Sequence, residues 1–291
     1  MAMTNFLLKK PAGYRSIEAM SRWSRRFTYF CLAWGLLVAL GPLVWLVLAS
    51  FKENPLARPG FALPESIYLG GYISTIRDLN VFQYFGNSFF IAGMSVVVSI
   101  MMISMSAYVI ARFEFRGRGF VSTLLYTTMF IPATALTFPV YNLINRLGIY
   151  DTRSALILIY ACSGIAVSFF VIKNYYLNIP RDLEDAARID GCGYVQTWWR
   201  VIFPIARPGI LTAGVLAFLN NWNEYYWASL VVISRTKMPV PALLSAFTAP
   251  TRTDYNGMCS AIVVIILPPI ILYCIFNKFF IEALSGGAVK G

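Results

Sequence analysis

The sequence contains no histidine, and only 13% of its 291 residues are charged. Without histidine, metal sites and general bases that depend on an imidazole are excluded. The low charge content excludes an ordinary soluble domain, since such domains carry about 25% charged residues. Cysteine is also scarce, and no two cysteines form a Cys-x-x-Cys pair. We therefore predict small buried hydrophobic residues, not disulfides or metal ligands, at Cys31, Cys162, Cys192, Cys259 and Cys274.

Long apolar runs dominate the chain, in which 58% of residues are hydrophobic. A helix needs about 20 apolar residues to cross the roughly 30 Å core of a bilayer. We predict an all-α membrane protein whose transmembrane domain, residues 27–280, contains six transmembrane helices at about 27–51, 84–111, 119–141, 154–173, 208–232 and 257–279. Prolines in these runs are expected to kink the helices without ending them, at Pro42, Pro132, Pro139, Pro268 and Pro269.

The first apolar run follows a basic N-terminus, as the apolar region of a secretory signal peptide would. Its 25 uncharged residues, Phe27 to Phe51, exceed the roughly 7–15 residues of a signal-peptide core. We therefore expect this run to be retained as a membrane anchor.

Positively charged residues set the predicted orientation of the chain, whose net charge is +11. In a soluble protein this charge would favour nucleic acid, but here the basic residues lie beside apolar runs. Sixteen of the 24 Lys and Arg residues fall in segments that are cytoplasmic if the N-terminus is inside. We therefore predict no nucleic-acid partner and two cytoplasmic termini, a basic segment at 1–26 and a tail at 281–291. Residues 14–26 fit either an interfacial helix or a disordered basic tail.

The longest charged segment on the predicted cytoplasmic side is the loop 174–207. Asp182 is placed to cap a helix over residues 183–190. Gly191 and Gly193 are expected to supply the positive φ that ends this helix. The helix is too short and too charged to enter lipid.

A second short helix is predicted to begin near Tyr194 and to end around Phe203, because Pro204 follows. Ala186 and Ala187 give the first helix a small-residue patch, which is ringed by Glu184, Asp185 and Arg188. Such a helix could fit a groove on a partner protein, but most charged helical loops are merely solvated. The residues alone leave both readings open.

One spaced pattern in this loop has a known counterpart. It consists of Asp185-Ala186-Ala187, then Gly191 after three residues and Val201-x-Phe203-Pro204 after nine more. This pattern resembles the EAA loop of binding-protein-dependent ABC permeases, Glu-Ala-Ala, x3, Gly, x9, Ile-x-Leu-Pro. The spacing matches throughout, and the departures are Asp for Glu, Val for Ile and Phe for Leu.

Four further segments resemble sugar permeases of the maltose-transporter type. They are Leu183–Gly191, the stretch from Phe61 to Tyr72, Trp222–Glu224 and the ending Gly286–Gly291, which is similar to the tail of the smaller permease subunit. Together the matches extend from about residue 27 to residue 291. The loop pattern is specific to the superfamily, whereas the sugar assignment depends on several weaker matches that agree.

The resemblance implies a type I ABC importer permease fold in the bacterial inner membrane, in contact with lipid. It implies a non-catalytic chain without a cofactor, paired with a second permease subunit as a heterodimer. Two cytoplasmic ATPase subunits would bind ATP and Mg and dock on the loop. An extracytoplasmic solute-binding protein would deliver a carbohydrate. The coupling residues implied are Glu184, Asp185, Ala186, Ala187, Arg188, Gly191 and Pro204, and the acidic ones are expected to meet basic residues of the ATPase.

Glu224 is the only charged residue inside one of the apolar runs, and such residues default to a functional hypothesis. Amides and a carboxylate can bind sugar hydroxyls, and aromatic rings can cover sugar faces. We therefore name as substrate-pathway candidates Asn220, Asn223, Glu224 and Tyr225. Counted from Pro208, however, Glu224 lies near the outer interface, where an aromatic belt with a structural or gating role is equally expected.

Parts of the sequence also bear on classes of protein other than a sugar permease. Leu284–Gly287 looks like the signature loop of ABC ATPases, but the sequence has no G-x-x-x-x-G-K-[ST] phosphate loop. The tail is instead predicted to reach between the ATPases or to be a frayed terminus. Within the permease class the alternative is a non-sugar importer, of the polyamine or phosphonate type. A membrane-embedded transferase, a channel and a secondary transporter fit the residues less well.

Overall fold

The computed structural model describes residues 21–57, 60–248 and 253–286, with side chains of the last helix described as far as residue 277. Of the possible surface helix at 14–26, residues 14–20 lie outside these ranges, as do the tail residues 287–291. Residues 22–26 belong to the first long helix. Within them the regular structure is helical, apart from a single antiparallel bridge between Thr248 and Thr253. The predicted all-α class is confirmed.

The described residues form thirteen α-helices, which are joined by short 3₁₀ and π-helical turns. The helices are α1 (Arg22–Ser50), α2 (Gly70–Ile73), α3 (Val81–Arg112), α4 (Arg118–Thr127), α5 (Thr137–Arg146), α6 (Arg153–Ala161), α7 (Ile165–Asn178), α8 (Asp182–Ile189), α9 (Tyr194–Thr197), α10 (Phe203–Ile205), α11 (Arg207–Trp222), α12 (Tyr226–Val231) and α13 (Tyr255–Gly286).

Only part of the predicted six-span pattern consists of uninterrupted helices. Among the described residues, α1, α3 and the Tyr255–Asn277 part of α13 are each long and apolar enough to cross a membrane. Three bent helix pairs also qualify, so the number of candidate spans is six when each pair counts as one.

The first bent pair corrects the expectation that prolines only kink the spans. Arg118–Phe130 and Ala133–Arg146 meet at 100°. Ile131 and Pro132 between them are both extended, with ψ of 113° and 134°. The residue before a proline is driven out of the helical region, which explains the break. Pro139 lies in the first turn of α5, where its missing N–H is tolerated.

The span predicted at 208–232 is also divided. Its helix α11 ends at Trp222, and α12 begins only at Tyr226, so Glu224 lies in a break. The preceding helical stretch Tyr194–Ile205 meets α11 at 79°. It continues past Pro204, so the predicted end at Phe203 is wrong. A π-helical turn over Trp198–Ile202 precedes Pro204, which then occupies the first turn of α10, where proline is favourable.

The core is built around α3, which packs against α6, α7 and α11. Its buried face carries many small residues, among them Ser88, Ala92, Ser95, Ser99, Ser104 and Ala107. Small side chains let helices approach closely where lipid provides no hydrophobic drive for association. The hydroxyl of Ser95 donates to the carbonyl of Ile91 at 2.6 Å, so it remains hydrogen-bonded inside the core.

At the periphery, α1 packs on α13 and buries only its last residues, Ala49 and Ser50. The prediction of buried cysteines is correct for Cys259 alone. Cys192 is half-buried, and the other three are exposed in the isolated chain, as suits lipid-facing or partner-facing positions.

At the end of the molecule where α3 begins, Asp151 holds the segment after α12. Its Oδ1 accepts hydrogen bonds from the backbone N–H groups of Ile233 and Ser234, both at 2.9 Å. Its Oδ2 accepts from the Ser234 hydroxyl and pairs with Lys237 Nζ at 3.1 Å. We call these contacts the Asp151 clasp. They hold the pKa of Asp151 well below its usual range, chiefly through the hydrogen bonds from Ser234.

Replacing Asp151 with Asn should lower the melting temperature of the purified protein by a few degrees at neutral pH. Asn tolerates the φ of 55° found here, so the change removes charge without adding backbone strain. Because the folded pKa is depressed, the stabilisation is full above the reference value of 3.8 and is lost as pH falls toward the folded value.

The measurement is thermal unfolding of wild type and Asp151→Asn between neutral pH and pH values below 3.8. Asp78 is exposed, so Asp78→Asn is the matched control, and its melting temperature should equal that of wild type. The assignment would be contradicted if the difference in melting temperature between Asp151→Asn and wild type stayed constant down to the lowest pH.

Candidate functional site

The helix α8 presents two different faces. Glu184 and Ala187, three residues apart, are buried against the rest of the chain, whereas Asp185, Ala186 and Ile189 are exposed. The predicted cap at Asp182 is wrong. The helix includes Asp182 and no side chain caps its N-terminus; instead its first turn contains three acidic residues, which favour the positive end of the helix dipole.

The C-terminus of α8 is a Schellman motif. The N–H of Cys192 donates to the carbonyl of Ala187 at 2.9 Å, and the N–H of Gly191 donates to that of Arg188 at 3.0 Å. Gly191 has the predicted positive φ, +81°. Gly193 does not, because its φ is −70° and it serves instead as the N-cap of α9.

The buried face of α8 is held by an arginine at the last residue of α3. Arg112 Nε lies 2.6 Å from Glu184 Oε1, with the two side chains only 5% and 7% exposed. A terminal nitrogen of the same guanidinium donates to the carbonyl of Ile179, just after α7, at 2.7 Å. The hydroxyl of Tyr108 also reaches Glu184, at 3.5 Å. Glu184 therefore packs against the rest of its own chain, whereas Asp182 and Asp185 are the exposed acidic residues of α8.

Sequence reasoning did not single out Arg112. The available signal was an arginine at the end of a long apolar run, next to a loop that carries several carboxylates. The sequence cannot tell which carboxylate it meets, because the answer depends on how α8 folds back under α3.

The second part of the loop is anchored by Trp198. Its indole Nε1 donates to the Tyr176 hydroxyl at 3.3 Å, and that hydroxyl shares a 2.5 Å hydrogen bond with Ser104 on α3. Arg188 lies over the Tyr194 ring at 5.3 Å and is 3.7 Å from Asp185. Pro204 is half-buried within the helical stretch that leads into α11.

The carboxylate of Glu224 is fully engaged within the chain. Its Oε1 accepts from the N–H of Trp227 at 2.9 Å, and its Oε2 accepts from the N–H of Ala228 at 3.2 Å. The hydroxyl of the buried Tyr160 donates to Oε2 at 2.8 Å. Through these contacts the Glu224 side chain caps the N-terminus of α12 from the position before its N-cap residue, Tyr225, and joins that helix to α6.

The other pathway candidates surround this cap without contacting it through side chains in the described structure. Asn220, Asn223 and Tyr225 are exposed in the isolated chain. The Asn223 amide donates to the Leu219 carbonyl at 2.9 Å. The structure thus separates the four candidates into a cap, Glu224, and three accessible polar or aromatic groups, whose role in the pathway remains a prediction.

Three bent candidate spans and a short charged helix, α8, at one end of the bundle are features compatible with a membrane transport component. The chain belongs to the family of binding-protein-dependent transport system inner membrane components, whose model matches residues 100–285. It is therefore a multi-pass protein of the bacterial inner membrane, and the predicted ABC permease class is confirmed.

Curated relatives match almost the whole chain. The arabinooligosaccharides transport system permease protein AraQ of Halalkalibacterium halodurans is 33% identical over 259 residues, covering 87% of this chain and 92% of the relative. The trehalose transport system permease protein SugB of Mycobacterium tuberculosis is 30% identical over 273 residues, covering 92% and 99% respectively.

Solved structures agree on the fold. A bacterial ABC transporter involved in the import of the acidic polysaccharide alginate matches with a TM-score of 0.77 and 26% identity, covering 90% of this chain and 99% of that one. A second alginate transporter chain, solved in complex with an alginate pentasaccharide-bound periplasmic protein, matches with a TM-score of 0.63 at 15% identity. The expected importer permease fold is confirmed.

Replacing Glu224 with Gln should destabilise the protein by about 1–2 kcal/mol, the usual loss when a helix cap is removed. Gln offers one acceptor oxygen where the carboxylate offers two, so at least one of the three donors loses its partner. Tyr160→Phe should show part of the same loss.

Thermal or denaturant unfolding in detergent measures both variants. Tyr225→Phe is the matched control, because Tyr225 is exposed and adjacent in sequence. If Glu224→Gln unfolded at the wild-type midpoint, the capping role would be refuted.

Proposed function

We propose that this chain is one permease subunit of an ATP-driven importer of a di- or oligosaccharide. It forms half of the translocation pathway together with a second permease subunit, and both of its termini lie in the cytoplasm. Two ATPase subunits, which bind ATP and Mg, dock on the EAA loops of the two permease subunits, which in this chain means α8. A solute-binding protein delivers the sugar at the opposite end. The observation that carries the proposal is the preformed outer face of α8, in a chain of the permease family.

The outer face of α8 has the properties of a docking surface. Asp185 provides a charge for a basic partner residue, Ala186 allows close approach, and Ile189 is 87% exposed. An apolar side chain left so exposed among charged neighbours is suited to a groove on another protein. Closure of the ATPase pair on ATP would then displace α8 and switch the access of the membrane cavity.

The carbohydrate class is supported by the relatives, whose names state transport of arabinooligosaccharides and trehalose. The structural neighbour adds an acidic polysaccharide. In this chain, the exposed Asn220, Asn223 and Tyr225 supply hydrogen-bonding and stacking groups that suit sugar hydroxyls and ring faces. A neutral and an acidic sugar are both compatible with these groups.

The direct test is ATP hydrolysis by the complete complex, reconstituted with its binding protein and screened with arabinooligosaccharides, trehalose and alginate oligosaccharides. Stimulation by a glycan supports the proposal. Stimulation by a polyamine or a phosphonate but by no glycan would overturn the substrate class, and the absence of any ATPase subunit in the purified complex would overturn the function.

Replacing Ile189 with Glu should weaken retention of the ATPase subunits by about tenfold or more, because a charge would enter an apolar groove at a cost above about 1.4 kcal/mol. Affinity purification through a tag on this chain measures the retained ATPase. Leu147→Glu, at an exposed leucine near the Asp151 clasp, is the matched control and should retain wild-type amounts. Equal retention in Ile189→Glu and wild type would contradict the docking face.

Replacing Gly191 with Leu should leave membrane insertion intact but uncouple transport from ATP hydrolysis. A β-carbon meets nothing within 4 Å at either Gly191 or Gly193, so the two sites differ in φ and not in space. The positive φ of Gly191 costs a non-glycine residue about 1–2 kcal/mol and would distort the end of α8.

Gly193→Leu is therefore the control, with its ordinary φ of −70°. Substrate-stimulated ATPase activity and solute uptake should fall in Gly191→Leu and stay close to wild type in Gly193→Leu. Matching values for the two variants would show that the helix end is not what matters.

A further inference from the structure

The docking helix α8 can act on the membrane domain only if its displacement is carried into the spans. Peptide connections alone transmit such a movement poorly, since the segments 179–181 and 190–193 that flank α8 are not part of any helix. The side-chain contacts on its inner face are therefore the mechanical link. Among them the group formed by Arg112, Glu184 and the Ile179 carbonyl is the one that joins three elements.

The arrangement is a fork. One guanidinium contacts the Glu184 carboxylate at 2.6 Å and the Ile179 carbonyl at 2.7 Å, and Arg112 itself is the last residue of α3. The end of α3, the residue directly after α7 and the first turn of α8 thus meet at a single side chain. Arg112 pairs with Glu184 through charge at one nitrogen while another nitrogen donates to Ile179, because the nitrogens of a guanidinium are spread over a rigid plane. A lysine ammonium on a flexible stem does not reproduce this arrangement.

Burial makes this junction stiff. Both side chains are more than nine-tenths buried, and removing one partner of a buried ion pair leaves an uncompensated charge in a low-dielectric environment. The pair therefore resists separation while the helices move. A contact at the protein surface would be screened and would yield under the same load.

We propose that Arg112 and Glu184 are a positioning pair that makes α8 and the cytoplasmic ends of α3 and α7 move as one body. This inference deepens the proposed function and rests on it. Neither residue touches ATP or solute in this proposal; the pair acts through the ATPase docked on the outer face of α8. Its loss should lower the solute imported per ATP hydrolysed more than it lowers ATPase docking.

The experiment compares Arg112→Gln, Glu184→Gln and the double variant in the reconstituted complex. The readouts are retention of the ATPase subunits and the ratio of solute imported to ATP hydrolysed. Each single variant should lower the ratio by about tenfold, within the usual range for coupling between sites. The double variant should recover much of this loss, because two neutral amides can hydrogen-bond without leaving a buried charge unpaired.

Two further variants keep the test decisive. Glu114→Gln changes an exposed glutamate two residues from Arg112 and should keep the wild-type ratio. Arg112→Lys preserves the charge, so it should fold even if the neutral variants fail to, and it should give an intermediate ratio because it cannot serve both acceptors together. A wild-type ratio in Arg112→Lys would show that the fork is not needed and would overturn the proposal.

The remaining outcomes also discriminate. Single variants that retain ATPase and keep the wild-type ratio would overturn the positioning role while leaving the proposed function intact. So would losses in the two single variants that simply multiply in the double variant, because interacting residues are expected to be non-additive. A wild-type complex that retains no ATPase subunits would overturn the proposed function itself.

Discussion

The contact between Arg112 and Glu184 connects the apolar helical bundle with the short charged helix α8, and the two fold under different physical constraints. On one side are long apolar helices, packed through small residues of α3, in which backbone groups are satisfied internally. On the other is an eight-residue charged helix that cannot enter lipid. Burying this ion pair at the boundary fixes which face of α8 points inward. Because Glu184 faces inward, the opposite face of α8 is exposed, with Asp185, Ala186 and Ile189.

Local chemistry made part of this site predictable. Gly191 was identified from its place after a short helix, and its φ of +81° confirms that the backbone needs glycine there. The predictions of a positive φ at Gly193 and of a helix end before Pro204 are wrong, because each residue type fits two different local structures. A glycine can also be an N-cap, and a proline can also begin a helical segment after a π-helical turn. Tertiary packing selects between these solutions, and single-sequence patterns do not record it.

The spans show the same division. Hydropathy located all the apolar segments, because lipid exposure leaves a strong compositional signal. It did not locate the breaks at Ile131–Pro132 and at residues 223–225, since apolar residues continue through or resume beyond them. The contact between Glu224 and Tyr160 was likewise hidden, because the two residues are 64 positions apart in the sequence. Charge inside an apolar run signals importance without specifying the contact.

The Schellman motif and the Arg112 contact together shape α8 within the isolated chain, before the proposed docking of an ATPase subunit. Association then need not order a flexible loop, because the conformational entropy of ordering α8 is already lost when the chain folds. In the proposed complex, an ATPase subunit would therefore bind and dissociate while α8 stays folded. In the proposed complex, the affinity for the ATPase subunit should be set by the few side chains that protrude from this face.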